Sequence, residues 1–149
     1  MRILSSLKTF SQSRLSWLLL LAFVVFFTLC AMYFQHVMLL APCVMCIYER
    51  IAMLGIGVAA LIGAIAPQNP VVRWLGFAAW GASSYKGLML AIEHVNYQFN
   101  PSPFGTCDLF VTFPAWAPLN QWAPNLFEAY GDCSKVVWQF LTLSMPQWL

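Results

Sequence analysis

Charge is what this sequence has least of. Asp, Glu, Lys and Arg make up 8% of its 149 residues, against roughly 25% in soluble globular domains, which excludes water as the solvent for most of its surface. The net charge of +2 is too small for the basic footprint that nucleic acid requires, so no nucleic-acid partner is expected. No internal repeat or low-complexity tract is present, which removes solenoids and disordered tails. Apolar residues fill the chain instead, at 61%, with 12 Phe and 7 Trp. That is the composition of helices facing lipid and rings anchored at its interface, so a lipid bilayer is the first expected partner.

Three runs are long enough to span it. Trp17 to Phe34 carries no charged residue and at about 1.5 Å per residue crosses most of the hydrocarbon. A secretory signal has a shorter apolar core and a small-residue cleavage site, so this run reads as uncleaved. Ile51 to Ala66 is short until it is extended back toward Pro42, a residue suited to a helix's first turn. Pro67 and Pro70 bracket a tight connection, and Trp74 to Ile92 is interrupted only by Lys86, whose stem can reach the surface or pair with Glu49 or Glu93. The expected architecture is one all-α membrane domain over 1–149. Its spans lie at about 15–36, 45–66 and 74–93, with a first outer loop at 37–44, a cytoplasmic loop at 67–73 and a second outer loop at 94–149.

Arg2, Lys8 and Arg14 precede the first run without an acid, and Arg73 lies in the short loop, so both segments are expected in the cytoplasm. The Cys43/Cys46 turn and the tail then share the other, oxidising face. Pro101, Pro103, Pro114 and Pro124 make that tail an irregular loop with short helical pieces. Trp116, Leu119, Trp122 and Leu126 could lie on the membrane surface or pack within the loop.

Pro42-Cys43-Val44-Met45-Cys46 places a C-x-x-C at a helix N-terminus, where unpaired N–H groups and the helix dipole favour a thiolate. Arg50, one turn beyond Cys46, shares its helix face and lowers a thiol pKa further; Glu49 opposes this if it points the same way. Alone, the motif divides between redox chemistry and half of a zinc site. A four-cysteine zinc site draws on a second close pair, which the widely separated Cys107 and Cys133 do not supply, so no metal is expected. A bridge between those two is, taken alone, a structural staple worth roughly 3–4 kcal/mol. A C-x-x-C on the same face shifts the balance toward exchange, because thiolate attack relays a disulfide from one pair to another. Cys30, in mid-span, reads as a small inert hydrophobe.

Four segments resemble, in order, the DsbB family of disulfide bond formation proteins: Phe34 to Leu40, Pro42 to Arg50, Pro101 to Asp108, and Gly131-Asp132-Cys133. The resemblance implies four membrane helices and two periplasmic loops, each with an essential cysteine pair, in the bacterial inner membrane. It implies that Cys107 and Cys133 form the disulfide attacked by a reduced DsbA-like thioredoxin-fold partner, with Cys107 holding the mixed disulfide. Cys43 and Cys46 then reoxidise that pair, with Cys46 as the thiolate facing ubiquinone or menaquinone and Arg50 as its cation. His94 is a further candidate quinone contact, since a ring N–H can bond a carbonyl; the alternative is an interfacial histidine bonded to water or backbone.

The family pattern continues after Leu149 into a fourth membrane helix, so the resemblance also implies that this sequence is partial. Two rival readings stand beside it. One is a non-catalytic membrane protein stapled by its cysteines, which carries no electron flow. The other is a quinone-linked thiol oxidoreductase of the vitamin K epoxide reductase type, which the loop order and Pro-flanked motifs fit less well.

Overall fold

A computed structural model describes residues 8–100, 108 and 110–148. Three long helices come first: α1 (Arg14–His36), α2 (Val44–Ile65) and α3 (Pro70–Phe99). They are followed by single-turn helices α4 (Leu119–Trp122) and α5 (Pro124–Phe127), a hairpin of β1 (Gln139–Phe140) and β2 (Leu143–Ser144), and a 3-10 turn at Met145–Trp148.

Among the described residues, α1 and α2 are long and apolar enough to cross a membrane. At 23 and 22 residues they reach roughly 33–35 Å. α3 is longer, at 30 residues, but Arg73, Lys86, Glu93 and His94 dilute its apolar character. It begins inside the expected 67–73 connection because Asn69 starts it: the side-chain oxygen accepts the Val71 N–H at 2.9 Å, and Pro70 fits the first helical position. It runs on to Phe99 because no breaker intervenes before Pro101, which disfavours helix at Asn100.

The chain divides into two compact units, Met1–Leu29 with Ala52–Lys86, and Cys30–Ile51 with Gly87–Leu149. Each long helix contributes to both. The first unit is organised around one indole. Trp17 is buried, its Nε1–H donates to the Ser11 carbonyl at 3.0 Å, and its ring lies 5.1 Å from that of Phe77. A Cβ on Gly63 of α2 would stand 2.3 Å from the Trp17 ring, and one on Gly76 of α3 would stand 3.2 Å from both that ring and the Gly63 Cα. Small residues here let three backbones close on one large side chain, the usual device where lipid supplies no hydrophobic drive between helices. Arg14 closes the same end by donating to the Ile65 carbonyl at 3.2 Å.

The second unit holds the tail, which is not wholly loop and helix as the sequence suggests. β1 and β2 pair antiparallel through Leu141 and Thr142, both at positive φ (49° and 68°). This is the backbone of a primed hairpin turn without the Asn or Gly that usually announces it. Trp138 stacks on Phe140 at 6.1 Å and also meets Phe34, so ring packing holds a turn that its own residues disfavour. Pro124 splits the expected surface helix into α4 and α5. Trp116 and Trp122 are exposed while Phe127 is buried.

Gly63→Ala tests the first unit. The added methyl meets a rigid ring rather than a flexible chain end, so the substitution should cost about 1–3 kcal/mol, read as a lower unfolding midpoint in detergent. An unchanged midpoint would show that Trp17 has room to move aside.

Candidate active site

The second unit brings residues distant in sequence onto the start of α2. The Pro42 carbonyl accepts two N–H groups, from Tyr130 and Gly131, each at 2.9 Å, and Cys43 pairs with Gly131 as a parallel bridge. Only a residue without a Cβ fits there: the added atom would lie 2.3 Å from the Ala41 carbonyl oxygen. That contact draws the next residues inward. Cys133 becomes part of one buried cluster with Cys43, Val44 and Met45. It is 1% exposed and disulfide-bonded. The other expected tail cysteine, Cys107, lies outside the described residues. Between Gly131 and Cys133, Asp132 folds back on the chain, accepting the Ser134 N–H at 3.0 Å and its hydroxyl at 2.7 Å. These bonds hold its carboxyl below the usual range.

Cys43 immediately precedes α2 and Cys46 lies in its first turn. Both are free thiols, with sulfurs 2.7 Å apart. The Cys46 backbone N–H also points at the Cys43 sulfur, at 3.3 Å. The Cys46 thiol hydrogen bond first, and that N–H after it, hold the Cys43 thiol below its ordinary pKa, against burial that pushes it up. In the free dithiol the charge is therefore favoured on Cys43. The resemblance instead assigns the quinone-facing thiolate to Cys46; the difference follows from the Cys46 thiol, and after it the Cys46 backbone N–H, both pointing at the Cys43 sulfur.

His94, on α3, lies between two side chains. It is 3% exposed, its Nδ1 is 2.8 Å from Glu49 Oε1, and its Nε2 is 3.5 Å from the Cys43 sulfur. An ionised carboxylate only accepts, so the Nδ1–H donates to Glu49. The neutral ring then turns the Nε2 lone pair toward the thiol. Glu49 thus faces His94, and Glu93 accepts from the Tyr97 hydroxyl at 3.2 Å. Sequence reasoning passed over Glu49 as a mere opponent of Arg50. The signal that marks it was present: a carboxylate in a nearly uncharged apolar run demands a partner.

Arg50, also buried, spans to two other segments. Its Nη1 donates to the Leu126 carbonyl at 2.5 Å and to Gln35 Oε1 at 3.0 Å, while Gln35 donates to the Asn125 carbonyl at 2.9 Å. Arg50 thus pins α5 to the end of α1, as well as lying within electrostatic reach of Cys46. Its Nε is buried with no acceptor, and Gln98 Oε1 is buried with no donor. Cys43, Cys46, His94 and Gln98 line one cleft with Asp132 and Lys135. The arrangement can take a proton from a thiol through an imidazole backed by a carboxylate, hold the thiolate that results, and offer a guanidinium N–H to an acceptor.

Comparison with known proteins agrees with the sequence resemblance. Residues 13–149 match the family described as Disulfide bond formation protein DsbB. The chain is 99% identical over its full length to Disulfide bond formation protein B of Vibrio cholerae serotype O1, covering 86% of that protein. It is 76% identical to the protein of the same name from Vibrio alginolyticus, again over its full length and covering 90% of the relative. With the protein of that name from Psychromonas ingrahamii the identity is 58%, over 99% of this chain and 80% of the relative. A match over nearly all its residues, together with a paired thiol site at a helix start and an oxidised cysteine beside it, makes this helical membrane protein a member of the DsbB family of disulfide bond formation proteins.

Proposed function

We propose that the chain reoxidises a periplasmic DsbA-like thiol oxidase and delivers the electrons to a membrane quinone. Its Cys107/Cys133 and Cys43/Cys46 pairs act as one relay. The observation that carries this reading is the burial of Cys133 and Cys43 in a single cluster, which supports direct exchange between the two pairs. The proposed topology has spans at about 15–36, 45–66 and 74–93, the basic N-terminus in the cytoplasm, and both pairs on the opposite side of the bacterial inner membrane.

A partner thiolate attacks Cys107, breaks the Cys107–Cys133 bond and releases the Cys133 thiolate. That thiolate attacks Cys43 of the oxidised Cys43–Cys46 pair and releases Cys46 as a thiolate within reach of Arg50. Cys107, freed when the partner's second thiol resolves the mixed disulfide, takes Cys133 back and leaves Cys43 and Cys46 reduced. A charge favoured on Cys43 in the free dithiol and on Cys46 during exchange are thus two stages of one sequence. When the reduced pair is reoxidised, His94 Nε2 takes the one proton that the hydrogen-bonded dithiol still holds, and Glu49 stabilises the resulting imidazolium.

A quinone would supply two-electron acceptor chemistry when bound, and the residues fit one: the unpartnered Nε–H of Arg50 would donate to a quinone carbonyl, and Cys46 and His94 would help to hold it. Ubiquinone and menaquinone both present that carbonyl. The thiols beside His94 and the orphaned guanidinium N–H favour this reading over a stapled, non-catalytic membrane protein, which uses neither.

Cys46→Ser should abolish quinone reduction by a reduced thioredoxin-fold partner in membranes. Cys107→Ser should fail earlier, at partner oxidation, and equal partner turnover would reduce the tail pair to a staple. Arg50→Ala should raise the quinone KM at least about tenfold, as expected when a hydrogen bond from a charged group is lost; an unchanged KM removes Arg50 from the site. Glu49→Gln should slow dithiol reoxidation about tenfold or more and displace its pH profile, while the first attack on Cys107 proceeds at its normal rate. A pH profile identical to that of the unsubstituted protein would show that Glu49 only packs.

A further inference from the structure

We propose that the reduced site is also a binding site for a thiophilic divalent cation of the zinc type, formed by Cys43, Cys46 and His94. Its sensitivity to such ions is set by its redox state. The sulfurs of Cys43 and Cys46 and a nitrogen of His94 all lie within 4.8 Å of one another, on two different helices. The sequence offered only half of a zinc site, because Cys107 and Cys133 are not a close pair. The third donor comes instead from α3.

The geometry fits a tetrahedral ion closely at one edge. With metal–sulfur and metal–nitrogen bonds of about 2.3 and 2.0–2.1 Å, a tetrahedral centre sets its sulfur and nitrogen ligands about 3.5–3.6 Å apart. The Cys43 sulfur and His94 Nε2 stand 3.5 Å apart. The sulfur–sulfur edge must open from 2.7 Å to about 3.8 Å. Rotation of the half-buried Cys46 side chain supplies that change, and the C-x-x-C spacing is one that structural zinc sites use. The tautomer is already set, since Glu49 holds the Nδ1–H and leaves Nε2 to ligate, as in the carboxylate–histidine–zinc arrangement.

Charge balance points the same way. Two thiolates and a neutral imidazole neutralise a divalent ion, so the complex adds no net charge to a buried place. Binding releases the remaining thiol protons to solvent and involves no electron transfer. The fourth position faces the cleft bounded by Gln98, Asp132 and Lys135, where water completes the shell. Once Cys43 and Cys46 are joined as a disulfide, two of the three ligands are gone. Only the dithiol binds the ion, and a bound ion holds both sulfurs away from oxidation. The ligand geometry stands independently of the proposed electron route, whereas the inhibition rests on it.

The test uses the full chain in detergent with Zn2+ as the probe, in a Cys107→Ser/Cys133→Ser background so that only the inner pair can respond. Competition with a chromogenic chelator should give one Zn2+ per reduced chain, none per oxidised chain, and none after Cys43→Ser/Cys46→Ser. Zn2+ should also protect both cysteines from alkylation, with protection reversed by EDTA. His94→Ala should weaken binding at least tenfold, and Glu49→Gln several-fold. Equal binding by oxidised and reduced protein, or full affinity in His94→Ala, overturns the site. Quinone reduction by zinc-free, unsubstituted protein is scored separately, so a failure of the electron route is not mistaken for a failure of the metal site.

Discussion

A missing side chain at Gly131 is the constraint on which the candidate site depends. Because no Cβ stands between them, the backbone at Tyr130 and Gly131 donates twice to the Pro42 carbonyl, and the residues that follow are carried against the start of α2. A methyl at that position would collide with the Ala41 carbonyl. The burial of Cys133 beside Cys43 follows from this contact, and so does the cleft that Asp132 and Lys135 help to line. Two cysteine segments nearly ninety residues apart in the chain thereby become neighbours without a shared element of regular structure.

The second determinant is electrostatic. A chain with so few charges places two of them, Glu49 and Arg50, side by side in a helix start, and each is buried. They diverge in function because they face different partners. Glu49 orients the imidazole of His94, and Arg50 ties Gln35 and the Leu126 carbonyl together while keeping one N–H unused. Breaking either arrangement leaves a buried charge uncompensated, which costs far more than the pair's net contribution to stability. The two charged groups beside the Cys43/Cys46 pair therefore also hold the unit together.

Much of this was legible in the sequence, and what was not has physical reasons. The bounds of α1 and α2 could be read because uncharged runs and a proline mark them. The start of α3 at Pro70 was hidden by the assumption that two prolines make a loop, although Asn69-Pro70 is itself a helix start. The hairpin at 139–144 left no trace because Leu141 and Thr142 occupy a turn that normally advertises itself with Asn or Gly. Cys43, Cys46, Cys107, Cys133 and Arg50 stood out by motif. His94 stood out as a candidate quinone contact at the end of a run, with no hint that its ring lies 3.5 Å from the Cys43 sulfur. Glu49 and Gly131 were missed because their importance lies in tertiary partners that spacing along one chain does not reveal.

The central claim is that the two cysteine pairs meet at Cys43 and Cys133. It is tested most directly by a Cys46→Ser/Cys107→Ser chain, in which those two and Cys30 in the first helix are the cysteines that remain. Mild oxidation in the membrane followed by non-reducing peptide mapping should recover a Cys43–Cys133 bridge in most molecules. Recovery of both cysteines as free thiols, or of either bonded only to another chain, would contradict the relay.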